Sequence, residues 1–287
     1  MAEVFGTVAG AISIAALFNN CIDCFDYIQF AKNFGDDFSR YQLRLDVAKC
    51  RLSRWGAAID INNDSRFHSE MLADATMELA KNILGEIMTR FGAAHRTSLR
   101  YTETCKERST AVCTEADLET VSLRLHHRFR TLALQRQGRV SLTKKAYWAI
   151  YDKGYIERVI RDIFHFLNEL ENVFPAISQA TRQLARMEIE EVSDQKELKM
   201  IQEVAKDLDP VLEDTAKSKP GEITGRNTVG RINTKGRVNV GYTFHTESLM
   251  HSEGFRDNTT NHVDEITGDE TSRVNVGNTY GGTSFWD

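Results

Sequence analysis

Cys21-Ile-Asp-Cys24 has the spacing of a metal-binding or thiol–disulfide pair. Structural zinc takes four ligands, and no second Cys pair or His pair follows at ligand spacing. A redox pair sits after a strand in a βαβ unit, and no such unit is legible around it. The bland alternative is two small, apolar-like side chains on a helix. The eight histidines contain no HExxH, and Gly225-Arg-Asn-Thr-Val-Gly230-Arg lacks the Lys-Ser/Thr of a phosphate loop. No nucleophile–base set stands out. The expectation is a protein that is not an enzyme and needs no cofactor or metal.

Two other stretches carry a different chemistry, that of the membrane surface. Val4 to Ile22 is a run of nineteen residues without a charge. That length suffices for a helix to cross a hydrocarbon core of ~30 Å. Thr7, Ser13, Asn19 and Asn20 interrupt it, so a buried helix of a bundle is the competing reading. Gly6 and Gly10 place small residues on one face and permit close helix contact in either setting. If the segment inserts, Val4, Phe5, Gly6, Gly10, Ile12, Ile14, Leu17 and Phe18 are the residues that enter the bilayer. From Thr120 to Tyr151 there is no acid, although the net charge of the chain is −5. Arg124, Arg128, Arg130, Arg136, Arg139, Lys144 and Lys145 make that stretch a local basic patch. It is either a solvated helical face or a surface for anionic lipid headgroups. Nucleic acid is not expected, because aromatics that stack bases are not interleaved with the charges.

A third kind of chemistry is self-recognition. Arg-Val-Asn-Val-Gly occurs at Arg237–Gly241 and again at Arg273–Gly277. The repeat extends backwards: Asn227, Val229 and Ile232 recur as Asn261, Val263 and Ile266, within repeats spanning 227–243 and 261–279. Val238, Val240, Val274 and Val276 alternate with polar residues, the pattern of strands with one buried face. Copy stacked on copy gives two rungs of a β-solenoid, whose open ends offer unpaired backbone groups to a further molecule. Asn227 over Asn261 and Asn239 over Asn275 would form amide ladders. Arg231 falls opposite Glu265 and Lys235 opposite Asp269, which fixes the order of rungs. Gly241 and Gly277 allow a sharp change of direction after each strand.

Each of these features needs elements to hold it. The first 174 residues contain no proline, which suits long helices. Apolar residues step by three and four along Leu45–Ile59, Met77–Phe91, Leu118–Leu132 and Ile156–Phe174. Asp194-Gln-Lys-Glu197 reads as an acidic capping box before Leu198 and Ile201. Trp55 and Trp148 read as core. The five scattered cysteines fit reduced intracellular thiols better than a disulfide framework. Beyond Pro220 there is no Ala, no Cys and a single Leu, and Gly, Asn, Thr and Val dominate. The chain is therefore divided into an all-α bundle, 1–220, whose segment 4–22 is the conditional membrane element, and a tail, 221–287. The tail is expected to be disordered in the soluble form.

"FGTVAGAISIAALFNNCIDCFDYIQF", "QLRLDVAKCRLSRWG", "INNDSRFHS", the twin repeats and the ending "YGGTSFWD" together resemble the fungal HET-s/HET-S heterokaryon-incompatibility family, over the whole chain. The resemblance implies a HeLo domain, a dormant membrane toxin, followed by a prion-forming domain that becomes a two-rung β-solenoid amyloid. It implies that amyloid folding disturbs the edge of the helical domain and expels the N-terminal segment into the membrane. The template would be a HET-s-like prion partner or the amyloid motif of an NLR-type receptor, and the assembly itself would be homotypic. The protein would be cytoplasmic while soluble and at the plasma membrane once active. Phe285 and Trp286 match an aromatic cover over the solenoid. Asp23 and Glu86 match acids that the toxic form needs. Asn33 stands where the inert form has proline and the toxic form histidine. Absence of the proline favours a toxic protein, and the alternative is an inert prion-type regulator. The first repeat is shorter by two residues, a departure expected to weaken cross-seeding with relatives.

Overall fold

The helical part of the chain forms where the apolar stripes lie. A computed structural model describes residues 12–69, 74–104, 111–138, 147–192, 194–219, 226–240, 243–244, 260–276 and 279–280. Among them are α1 (Ile14–Phe25), α2 (Asp37–Ala58), α3 (Ala75–Thr104), α4 (Thr120–Gln137), α5 (Lys153–Val173), α6 (Ser178–Ile189), α7 (Gln195–Ala205) and α8 (Pro210–Ser218). Their ends follow local chemistry. The Ser13 hydroxyl accepts from the Ala16 amide at the start of α1, and Asp209 accepts from the Leu212 amide at the start of α8. Gly138 ends α4 in the left-handed region, φ 66°, where a side chain is strained. Asp194 caps α7 through the Lys196 amide.

α2 is the axis of the bundle. Every residue from 43 to 56 is buried. Trp55, Leu52, Ala48 and Leu45 supply the expected apolar face, and Trp55 hydrogen-bonds the Leu170 carbonyl at 3.1 Å. The other face of α2 is charged, and each of its buried charges meets a partner from another segment. Arg44 binds Glu157, Lys49 binds Asp26, Arg51 binds Glu171, and His126 binds Asp46. Arg54 has no exposed surface and holds two equally buried carboxylates, Glu188 at 2.8 Å and Asp209 at 2.6 Å. Arg136 reaches Glu188 at 2.6 Å. Two cations and two anions thus balance in the interior, joining α2 to α4, α6 and the start of α8.

A short parallel pair completes this region. β1 (Ile28–Phe30) lies beside β2 (Trp148–Ile150) in the register Ile28–Trp148 to Phe30–Ile150. These three-residue strands carry no periodic signal long enough to read in the sequence.

In the C-terminal part, β3 (Arg226–Thr234), β4 (Arg237–Val240) and β5 (Thr243–Phe244) are followed by β6 (Thr260–Gly268), β7 (Arg273–Val276) and β8 (Thr279–Tyr280). Each strand pairs in parallel with its counterpart in the other copy: β3 with β6, β4 with β7, β5 with β8. The described residues group into two compact units, residues up to 191 with 199–216, and 192–198 with those from 217 onward.

Candidate functional site

α1 holds the described part of the charge-free N-terminal run. Ile14, Leu17 and Phe18 are buried, and Ile12 is half-buried. Val4, Phe5, Gly6 and Gly10 lie outside the described residues. Phe18 packs on Trp55 at 6.1 Å, and Phe25 meets Phe91 edge-on at 4.9 Å. One polar interruption of the run, Asn19, has a partner on another element of the bundle. Asn19 donates to the Ala15 carbonyl and to Asn62 Oδ1, at 2.8 and 2.9 Å. Asp23 is buried and accepts from Gln137 Nε2 at 2.8 Å. No helix among the described residues is long and apolar enough to cross a membrane. Cys21 and Cys24 are buried, and burial pushes both thiols well up, so neither is a ready nucleophile. No group of three or more metal-ligating side chains occurs among the described residues.

The seat of α1 depends on Gly56. A Cβ at that position would lie 2.3 Å from Phe18 Cζ, so the ring occupies the space a side chain would fill. Gly56→Ala is expected to destabilise the helical domain by about 1–3 kcal/mol through overpacking. Hydrogen exchange should quicken first in α1 amides. Equal denaturation midpoints and unchanged α1 protection would remove this role from Gly56.

Asn33 and Glu86 sit in different surroundings. Asn33 is exposed, in the turn after β1, and its Nδ2 donates to the Tyr151 carbonyl at 2.7 Å. Glu86 is exposed on α3. The structure does not bring Asp23, Asn33 and Glu86 into one cluster of hydrogen bonds or ion pairs.

Tertiary structure gives Arg128, Arg130 and Arg136 of the basic run partners from other segments. Arg136 is mostly buried against Glu188 and the Leu184 carbonyl. Arg128 binds the Glu188 carbonyl and Glu191, and Arg130 binds Glu115. His126 Nδ1 lies 2.8 Å from Asp46; burial opposes its charge, but the Asp46 bond and charge outweigh burial and raise its pKa. The run lacks acids in sequence, yet other elements supply them. Arg136 is therefore an interior ion rather than a lipid-facing one, while Arg128 and Arg130 are paired with acids. Arg124 is exposed, while Arg139, Lys144 and Lys145 lie outside the described residues.

The repeats meet in register. Asn227 pairs with Asn261, Val229 with Val263, Arg231 with Glu265 and Ile232 with Ile266. Val238 pairs with Val274, Asn239 with Asn275 and Val240 with Val276. Asn275 Nδ2 donates to Asn239 Oδ1 at 2.7 Å, one step of an amide ladder. Arg231 Nε lies 2.6 Å from Glu265. The second ion pair does not form. β3 ends at Thr234, and the two extra residues of the second copy make a turn in which Asp269 accepts from Thr271 and Ser272. Those bonds hold the Asp269 carboxyl below its usual pKa and leave Lys235 exposed. The insertion is absorbed there, because Ser272 Oγ bonds the Thr234 carbonyl and the Arg273 amide bonds the Gly236 carbonyl. Ile232 and Val240 are buried, whereas Ile266 and Val276 are 50% and 40% exposed. Gly241, Gly277, Phe285 and Trp286 lie outside the described residues.

The Arg231–Glu265 pair is exposed, and exposed pairs contribute little to stability, so its expected role is to set the order of rungs. Glu265→Arg should slow seeded fibre growth by placing like charges in register. Adding Arg231→Glu should restore most of the rate; a double variant as slow as the single one would deny the pairing a role in growth.

The buried set of Arg54, Glu188, Asp209 and Arg136 escaped the sequence reading. A charged residue beside an apolar stripe looks the same whether water or a helix covers it.

Comparison with known proteins gives concordant matches. The family model HeLo, described as prion-inhibition and propagation, matches residues 6–201, and the model Het-s 218-289 matches residues 219–281. Heterokaryon incompatibility protein s of Podospora anserina is 42% identical over 289 residues, covering 100% of both chains. Heterokaryon incompatibility protein S of the same species is 42% identical over 290 residues, again covering 100% of both. The solved HET-S N-terminal domain superimposes with a TM-score of 0.73 at 42% identity, covering 76% of this chain and 97% of that one. A mutant HET-s N-terminal domain gives 0.70 at 42% identity, covering 72% and 98%.

Proposed function

The chain belongs to the HET-s/HET-S family of heterokaryon-incompatibility proteins, with a HeLo domain and a HET-s prion domain, and from that premise we propose that it is an amyloid-controlled executor of cell death. In this reading the tail is disordered while the protein is soluble. A template, either a HET-s-like prion partner or the amyloid motif of an NLR-type receptor, orders the two copies into stacked rungs. Further copies of the same chain add to the stack. The helical domain then releases its N-terminal segment into an anionic membrane and a pore forms.

The observation that carries the reading is the parallel register of the two copies, in which Asn227, Val229 and Ile232 sit over Asn261, Val263 and Ile266, and every residue of β4 over its identical counterpart in β7. A structure that repeats itself within one chain repeats equally between chains. The half-exposed Ile266 and Val276 are the apolar surface that a further rung would cover. A second reading, an inert prion-type regulator, stands beside it because Asn33 is neither of the residues that separate the two family forms: the proline of the inert form is absent, and so is the histidine of the toxic one.

Dye release from anionic liposomes by full-length protein tests the choice. Release is expected only when preformed fibres of residues 221–287 are added. Conversion to fibres with no release would leave the inert regulator, and release without seeds would remove the tail as the switch.

A further inference from the structure

α1 is buried nearly all round. From Ile14 to Phe25 only Ala16 is exposed and only Asn20 is half-buried. Such a surface suits the interior of a protein or the apolar layer of a membrane. The packing of Phe18 on Trp55 and of Phe25 on Phe91 does little to choose between the two, because lipid tails are as apolar as core side chains. The choice falls to the polar groups. Asn19 and Asp23 are one turn apart and share a face of the helix. Both are buried, at 6% and 4% exposure.

One residue of α4 reaches both. Gln137 is the last residue of that helix, directly before the left-handed Gly138, and it is buried. Its Nε2 donates to Asp23 Oδ1 at 2.8 Å. Its carbonyl accepts from Asn62 Nδ2 at 3.1 Å, and Asn62 Oδ1, in the turn after α2, accepts from Asn19 Nδ2 at 2.9 Å. The bonds close a ring that runs from α1 at Asn19, through Asn62 and Gln137, back to α1 at Asp23. A helix leaving the bundle breaks that ring at two points and takes a carboxylate away from a donor. The seat is also incomplete, since Asn19 Oδ1 is buried without a hydrogen-bond partner. An unsatisfied buried acceptor reduces the margin by which the seat is preferred.

We infer that Gln137 is the latch of α1: its side chain holds Asp23, its carbonyl holds Asn19 through Asn62, and loosening this one residue lets α1 leave while the other helices stay folded. Gln137 is a positioning residue, acting through Asp23 and Asn62. Its role rests on the executor reading, in which α1 belongs to the segment that enters the membrane.

Hydrogen exchange of the full-length chain, each variant set against the parent at the same pH, tests the latch. Gln137→Leu removes the donor at similar volume and should quicken exchange of α1 amides about tenfold at either pH 5 or pH 8. Gln137→Glu keeps the shape and replaces the donor with a second carboxyl. Two carboxyls at hydrogen-bond distance share a proton in acid and repel when both ionise. Exchange in α1 should then be at least about tenfold faster than the parent's at pH 8 and within about twofold of it at pH 5. Amides of α5 should match the parent's throughout. Adding Asp23→Asn to Gln137→Glu restores one donor and one acceptor with their roles reversed, and most of the α1 protection at pH 8 should return. A glutamine that only fills space would tolerate Gln137→Leu, so unchanged α1 protection in that variant overturns the latch. So does failure of the reversed pair to restore protection, or a loss spread evenly over α1 and α5, which is unfolding of the whole domain. At pH 8 Gln137→Glu should also release dye from anionic liposomes without seeds. If exchange shows α1 freed while no dye escapes even with seeded parent protein, the latch stands and the executor reading fails.

Discussion

Asp209→Asn should lower the unfolding free energy of the helical domain by about 3–5 kcal/mol, the usual cost of removing one partner from a buried ion pair. The substitution keeps the shape of the side chain and its ability to cap α8, which rests on the bond to the Leu212 amide. What it removes is the charge facing Arg54, whose side chain has no exposed surface. The interior would then hold Arg54 and Arg136 against Glu188 alone. Adding Arg54→Met should recover much of the loss, because Arg136 and Glu188 remain balanced. Urea denaturation of the single and double variants decides it. A single variant within about 0.5 kcal/mol of the parent would mean that water reaches the site and screens it.

The same set makes acid its weakness. Burial works to raise the Asp209 carboxyl, but the charge and hydrogen bonds of Arg54 overcome it and hold the pKa below its ordinary value. A depressed carboxylate stabilises the fold above its unfolded pKa, near ~3.9, and that stability is lost as pH falls through the lower folded value. The parent should therefore lose stability below about pH 4 more steeply than Asp209→Asn, which has no carboxyl there to protonate. If the seat of α8 also restrains the dormant state, dye release by Asp209→Asn should depend less on seeds.

Val240→Pro should abolish fibre formation by residues 221–287 while leaving the melting of the helical domain unchanged. Val240 is buried, in β4, and pairs in parallel with Val276. Proline takes away its ladder amide and fixes φ. In a stack the same defect recurs in every molecule, so growth loses it at each addition and no long fibre averages it out. Thioflavin fluorescence and sedimentation after seeding measure the effect. Fibres of ordinary yield and hydrogen-exchange protection would show that β4 and β7 do not form the core.

Much of this protein is decided by sequence alone. The rungs are set by identity at fixed offsets: Asn239 can bond Asn275 and Val238 can stack on Val274 only in one register, so the pairing is legible without coordinates. The long helices are equally local, because an apolar stripe at a period of 3.6 residues has one face to bury. The composition change beyond Pro220 marks where that logic stops. Tertiary structure decided the rest. It buried the charged face of α2, because Arg44, Lys49, Arg51 and Arg54 find acids on elements up to 155 residues away. It turned Arg136 from an apparent lipid contact into an interior ion, and it gave Lys235 no partner by folding Asp269 into its own turn. Sequence records that a charge is present. Whether water or a carboxylate surrounds it depends on which distant segments pack there, and the desolvation cost makes that packing all-or-none.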